Sequence, residues 1–398
     1  MSAGTAVVSG ASIAGLSAAF WLRRLGWQVT VIERAPEFRD GGQNIDVRGV
    51  AREVLVRMGL FDAVKARNTT ETGAVIVDGN GQAIATLPDG GGTGATAELE
   101  ILRGDLAGVL RDHLPEGVEF VYGDTIEDVS EHAGHARLTT AGGRELRCDL
   151  LVIAEGVRST TRGRVFAQDT VEERELGVTM VFGTIPRVPG DDDRWRWYNA
   201  PGGRQAHLRP DPYGTTRTIL SYSPGDDLLS MSRNEALAQV RSRYRGAGWE
   251  TSRILDALET SQDVYIDQLA QIRMKTWHQG HVVMLGDAAW CVTPMGGGGA
   301  SLALTSAYVL AAQLSAHSGD LAAALAGYVR WMRPLVRDAQ NMPGWLTRFA
   351  YPQSRAGLAL RHVADRVFTS APFRPLAAKL TQVAETERTL PTLRPTTG

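Results

Sequence analysis

The chain is short of several things. It has only two cysteines among 398 residues, Cys148 and Cys291, far apart in sequence. That excludes a disulfide framework and any zinc-type ligand spacing, so no metal site is expected, and it suits a reducing compartment. It has three lysines against 39 arginines and no surplus of either sign: 42 basic and 44 acidic residues leave a net charge of −2. A dedicated nucleic-acid binder carries a basic excess, so nucleic acid is not an expected partner. Long apolar runs are scarce. The longest, 301–314, is interrupted by Thr305, Ser306 and Gln313, and it reads as too short and too polar to span a bilayer. The N-terminus lacks the charged region of a secretory leader and runs straight into the strand pattern Ala6-Val7-Val8. A cytoplasmic protein with no membrane partner is the expectation.

Glycine, by contrast, is abundant: 44 residues, with no collagen-like period. Such glycine belongs in tight turns and where backbone approaches a ligand. The length allows two or three domains. Hydrophobic residues at 43% and charged residues at 22% are ordinary for a chain that buries a sizeable core.

Periodicity predicts a buried strand at 5–9, a glycine turn at 10–15, a helix over 16–25 and a second buried strand at 28–32 that ends at Glu33. A helix is expected at 49–58, a hairpin at 74–87 around Asp78-Gly79-Asn80-Gly81, and a loop at 89–96. A helix at 103–114, strands at 118–122 and 136–140 and a buried strand at 149–154 follow. From about 176 to 265 strand-like runs alternate with turns, with one helix at 233–244. A buried strand at 282–285 leads into a second glycine-rich loop and a long apolar helix from 301. The chain then reads as helical to about 368, with frayed last residues.

Three motifs carry chemistry. Gly10-Ala11-Ser12-Ile13-Ala14-Gly15 follows a strand, opens a helix, and has Glu33 at the end of the next strand. This is the setting of a dinucleotide fingerprint: glycine makes the turn, the helix N-terminus offers free N–H groups to a pyrophosphate, and the acid accepts ribose hydroxyls. The middle position is Ser12, which is still small. In the second, Gly286-Asp287 ends a buried strand, and Pro294 and Gly296-Gly297-Gly298-Gly299 precede the next helix. In the third, the strand at 149–154 ends in Glu155-Gly156, with Arg162 beyond. The plainer readings are an N-capping carboxylate at Asp287 and a charged turn at Glu155.

The order and spacing of these motifs resemble the class A flavoprotein monooxygenases, the para-hydroxybenzoate hydroxylase-like family, over roughly residues 5–335. The segment Arg39-Asp40-Gly41-Gly42-Gln43-Asn44-Ile45-Asp46 is similar to the short TetX-like, tetracycline-inactivating branch. The resemblance implies an α/β fold. A discontinuous Rossmann-like FAD-binding domain would span 1–72, 97–175 and 271–335. An inserted, mostly antiparallel β-sheet substrate domain would span 73–96 and 176–270, and a C-terminal helical segment 336–398. It implies that Gly10, Ser12, Ala14, Gly15, Glu33 and Arg34 hold the ADP half of FAD. Glu155, Gly156 and Arg162 would meet both FAD and NAD(P)H. Gly286 and Asp287, with Pro294, Gly297 and Gly299, would hold the ribityl and pyrophosphate parts. Arg39 would contact NADPH (or NADH), Asp46 and Arg48 the flavin, and Arg103 the FAD. Four positions depart from the family pattern: Glu155 stands for Asp, Trp290 for His, and Ser301 and Ser306 for Asn and Asp.

The implied activity is hydroxylation of an aromatic or polyketide-like small molecule with NAD(P)H and O2, through a flavin C4a-hydroperoxide, as in secondary metabolism or antibiotic inactivation. The flavin would drive the chemistry, with Arg48 and His207 as the protein groups closest to a catalytic role. The inserted domain holds Trp195, Trp197, Tyr198, His207, Arg217 and Tyr222, an aromatic set suited to a planar ligand, and of these Tyr198, His207, Arg217 and Tyr222 are the substrate candidates. Another flavoenzyme, a Baeyer–Villiger oxygenase or a halogenase, and a non-redox protein on the same scaffold stay open as alternatives.

Overall fold

Thr5–Ser9 lies inside a six-stranded sheet in the order His278–Gln279, Val282–Met284, Leu150–Ile153, Thr5–Ser9, Gln28–Glu33, Val118–Tyr122. All neighbours are parallel except the first pair. Leu150, Leu151, Val152 and Ile153 are all buried, as are Val282, Val283 and Met284, which is why these strands read as unbroken apolar runs. A computed structural model describes residues 4–69, 71–88, 99–293, 298–341, 343–369 and 388–394. The helices Ile13–Arg24 and Gly299–Ala316 pack together, with Trp21 and Tyr308 edge to face at 5.0 Å. By length and composition Gly299–Ala316 is long and apolar enough to cross a membrane, contrary to the sequence reading; 67% of it is buried inside the protein, as befits a core helix.

A seven-stranded sheet follows the order Val264–Met274, Val171–Pro186, Thr215–Tyr222, Arg204–Pro210, Trp195–Ala200, Gly73–Val77, Ala83–Pro88. It is antiparallel apart from the pair Trp195–Ala200 and Gly73–Val77. One face, with Val77, Val181, Tyr198, Leu220 and Tyr222, packs on two helices, Arg233–Arg243 and Thr251–Thr260. The sequence reading expected only one helix here. The other face carries Trp195, Trp197, His207, Arg209 and Arg217. It turns towards a two-stranded ribbon, Asn44–Asp46 with Glu100–Leu102.

The C-terminal part is helical, as expected, but in three pieces, Leu321–Gln340, Leu346–Ala350 and Arg355–Thr369, with Pro343 and Pro352 in the breaks. The expected fraying is corrected for 388–394. Arg388 donates to the Trp331 carbonyl at 2.8 Å, Leu390 is buried, and the Pro391 carbonyl accepts from Tyr308 Oη at 2.8 Å. Contacts distant in sequence hold this strap, so no local signal announces it.

Candidate active site

Gly10 leaves its strand with φ +106°, a region open mainly to glycine. A Cβ on Gly15 would fall 1.9 Å from the Gly10 carbonyl oxygen, so turn and helix meet backbone to backbone. No side chain caps the helix Ile13–Arg24. Ser12 Oγ instead accepts from Arg103 Nη2 at 3.0 Å. The first turn therefore keeps N–H groups without a side-chain cap, and such a helix N-terminus favours an anion. Glu33 is anchored by two backbone donors, Ala11 N at 2.8 Å and Ala35 N at 2.9 Å.

The second glycine motif closes on the first. Gly286 has φ +59°, and a Cβ there would stand 2.9 Å from Ala14 Cβ. Asp287 follows, opening the short helix Asp287–Trp290, and a Cβ on Gly299 would lie 3.8 Å from its Oδ1. Asp287 is exposed, yet desolvation by the protein around it pushes its carboxyl up to about 6, with the Arg103 charge pulling the other way. Pro294 and Gly297 lie outside the described residues.

Arg103 is the meeting point of a third segment. A Cβ on Gly104 would fall 1.5 Å from the Asp40 carbonyl oxygen, and one on Gly42 would meet the Arg103 Cβ at 3.0 Å. Arg103 N donates to the Gln43 carbonyl at 2.9 Å. Beyond this clasp Asp46 pairs with Arg48 at 2.9 Å, and burial raises the Asp46 carboxyl despite that partner. Ser301 Oγ, where the family pattern has Asn, accepts from Arg48 N at 2.9 Å and donates to the Asp46 carbonyl at 3.3 Å. Arg34 and Arg39 are exposed.

Glu155 is spent on the fold. Its carboxylate accepts from Ser9 Oγ, Ser159 Oγ and Thr161 Oγ1, each at 2.6 Å, and from Thr161 N at 3.2 Å. The extra methylene carries it to hydroxyls on two segments, the end of Thr5–Ser9 and the start of the helix Thr160–Val165. Gly156 follows with φ +80°. Arg162 donates to the carbonyls of Ala288 and Val157 at 3.0 and 2.9 Å, tying this turn to the Gly286-Asp287 turn. Trp290 packs on Trp277 at 4.4 Å between ring centres, and Ser306 Oγ bonds back to the Ala303 carbonyl at 2.9 Å.

The four substrate candidates do not come together. Tyr198 and Tyr222 point to the helix-covered face, Tyr198 accepting from Gly248 N at 3.2 Å and Tyr222 packing on Tyr244. His207 faces the ribbon side but has both ring nitrogens engaged: Nδ1 accepts from Trp195 Nε1 at 3.0 Å and Nε2 lies 3.4 Å from Gln205 Oε1. Burial, helped by the Arg209 charge, pushes it down to about 3, so the ring rests neutral. Arg217 is held by Asp211 at 3.0 Å and Asp263 at 3.1 Å, with Thr184 Oγ1 at 2.7 Å. It braces the sheet against the Gly42 carbonyl, 3.4 Å away.

Residues 4–338 match the family described as FAD binding domain. The flavin-dependent monooxygenase eupH of Phoma sp is 32% identical over 381 residues, covering 88% of this chain and 89% of that protein. The chain belongs to the flavin-dependent monooxygenase family. The monooxygenase also shares its fold with solved structures. Tetracycline destructase Tet(51) has a TM-score of 0.80 at 26% identity, covering 98% of this chain and 99% of that one. Klebsiella pneumoniae HpxO, complexed with FAD and uric acid, has a TM-score of 0.78 at 21% identity and covers 95% and 96% of the two chains.

FAD fits what the monooxygenase offers. Two glycine turns meet where a Cβ would clash, an uncapped helix N-terminus suits a diphosphate, and a carboxyl and a guanidinium border the same opening. On the substrate side the structure sets apart the half-buried pair Trp195 and Trp197, part of the expected aromatic set but not among the four substrate candidates, stacked 5.4 Å apart, with Arg209 over Trp195 at 4.2 Å. The signal was there: along 195–199 and 204–210 alternate residues share a face, and Trp195, Trp197, His207 and Arg209 fall together.

Proposed function

We propose that this flavoprotein hydroxylates a planar aromatic or polyketide-like small molecule in the cytoplasm, using NADPH and O2. The balance is one substrate C–H, O2, NADPH and a proton consumed for one C–OH, water and NADP+. The observation that carries the reading is the convergence of Ser12, Arg103 and Asp287, because Arg103 donates to the first and its charge acts on the third. Those three, with Gly10, Gly15, Glu33 and Gly286, would hold FAD. FAD, when bound, supplies the redox chemistry, taking hydride from the nicotinamide and passing oxygen from O2 to the substrate. The protein's share is position and electrostatics. Asp46 and Arg48 form a charge-neutral pair beside the cofactor ribbon. Exposed Arg39 and Arg34 offer guanidinium forks to a nicotinamide nucleotide's phosphates. Trp195 and Trp197 give a flat apolar wall against which an aromatic ring excludes water.

The domain division at 1–72, 97–175 and 271–335 against 73–96 and 176–270 is part of this proposal. The two sheets and the ribbon between them support it. The test is NADPH-dependent incorporation of isotopically labelled O2 into phenolic or polyketide-type substrates by the purified holoenzyme. One labelled oxygen in the product supports hydroxylation. NADPH oxidation that yields only hydrogen peroxide across the panel argues for a different substrate class.

A further inference from the structure

Arg209 reaches from the substrate sheet into the joint with the cofactor ribbon and meets two carboxylates there. Its Nε donates to Glu71 Oε2 at 2.9 Å and its Nη2 to Glu100 Oε1 at 2.8 Å. The Glu71 and Glu100 side chains are 1% and 3% exposed. Glu100 Oε1 also accepts from Asn44 Nδ2 at 2.7 Å and Thr69 Oγ1 at 3.0 Å, so this carboxylate is well supplied with donors. Among the described residues Glu71 has Arg209 alone. Three buried acceptor atoms have no donor among the described residues: Glu71 Oε1, Glu100 Oε2 and Asn44 Oδ1. Nearby, Asp46 pairs with Arg48 and its charge still reaches Glu71. Among the described residues that touch the two carboxylates, one guanidinium therefore faces two buried acids, one negative charge too many for so buried a site.

We propose that Glu71 and Glu100 hold one proton between them at neutral pH, carried chiefly by Glu71, and that this proton fastens the substrate sheet to the cofactor ribbon. With it the joint is charge-balanced, and the carboxylic O–H gives one orphaned acceptor a donor. Without it two carboxylates repel across Arg209, and the strain falls on Asn44–Asp46 from one side and on Trp195 from the other, since Arg209 lies over that ring. Burial raises the Glu71 carboxyl to about 7 against the pull of Arg209, with the Glu100 and Asp46 charges adding to the rise. The joint is thus a proton-dependent clasp between the two halves of the site, and it does not depend on which substrate the enzyme takes.

A carboxyl whose affinity for a proton is higher in the folded than in the unfolded chain loses its stabilising effect as pH rises through its folded value. Glu71→Gln fixes the uncharged state. Thermal unfolding of the holoenzyme and of Glu71→Gln, at about pH 4.5, the unfolded carboxyl's own value, and about pH 8.5, tests this. The variant should melt close to the wild type at the lower pH and several degrees above it at the higher. An infrared carboxylic-acid band, present in the wild type at the lower pH and missing from the variant, should accompany the change. A variant that melts below the wild type by the same margin at both values would overturn the proposal, because Glu71 would then be an ionised partner of Arg209. Glu100→Gln should likewise flatten the pH dependence, since one carboxylate balances Arg209 without a proton. Failure of both variants to fold at the lower pH would also overturn it, since a single uncharged side chain is the state assigned there.

Discussion

Arg103 Nη2 donates to Ser12 Oγ across 3.0 Å, so one guanidinium ties the fingerprint turn to the clasp formed by Asp40, Gly42 and Gly104. Its charge also acts on Asp287. Arg103→Ala removes a charged donor from the proposed diphosphate site. A hydrogen bond to a charged group contributes about 1.5–3 kcal/mol, so FAD affinity should fall roughly 10-fold or more. Arg103→Lys should recover only part of it, because a point charge lacks the planar fork. Flavin fluorescence on dissociation measures both; an unchanged affinity in Arg103→Ala would remove Arg103 from the cofactor site.

Asp287→Ala should weaken FAD retention by a similar factor, about 10-fold or more, through loss of a carboxylate acceptor. Asp287→Asn, which keeps one carbonyl acceptor, should lose less. Equal retention in the alanine variant and the wild type would leave Asp287 as no more than the first residue of its short helix.

His207→Gln should lower stability by about 1–3 kcal/mol, the cost of disturbing a buried ring bonded on both nitrogens. It should leave the pH profile of NADPH oxidation unchanged, because a ring held near 3 does not titrate in the working range. The sign of the stability effect with pH is also fixed. His207 in the unfolded chain takes up a proton below about 6.5, whereas in the folded chain it stays neutral down to about 3. Its contribution is therefore complete above 6.5 and is lost as pH falls towards 3, so the gap between wild type and variant should narrow on acidification. A pH profile that shifts in His207→Gln would restore the proton relay.

Arg39→Ala should keep its flavin and slow flavin reduction by raising the apparent KM for NADPH, the mark of a lost binding contact. Arg39 is exposed, so stability should not change measurably. Stopped-flow reduction at graded NADPH decides; identical dependence in variant and wild type would return Arg39 to the solvated surface.

Much of the proposed cofactor side was legible in the sequence because its turns are written in backbone requirements. Gly10 and Gly286 stand at positive φ and Gly15 and Gly104 at near-contacts, and only glycine meets such demands, so strand–turn–helix context exposes them. The role of Glu155 was not legible. Its partners Ser9 and Thr161 come from separate elements, and only the folded chain brings three hydroxyls onto one carboxylate. The substrate side was less legible for a different reason. Alternation along a strand says which residues share a face but not which face the helices cover, so Tyr198 and Tyr222 were grouped with Trp195 and Trp197 in one aromatic set, although the fold puts the two pairs on opposite faces of the sheet. The second helix of that region, Thr251–Thr260, does carry the helical period in Ile254, Leu255 and Leu258, and a longer window would have found it.

The central claim is that this chain is built around FAD, and the most direct measurement is the flavin content of the purified protein. Absorbance of the native protein, and of the flavin released on denaturation, should give a yellow holoenzyme with close to one FAD per chain, or an apoprotein that takes up FAD to that ratio on incubation. A colourless protein that remains colourless after incubation with FAD, and whose melting temperature FAD does not raise, would contradict the account at its root.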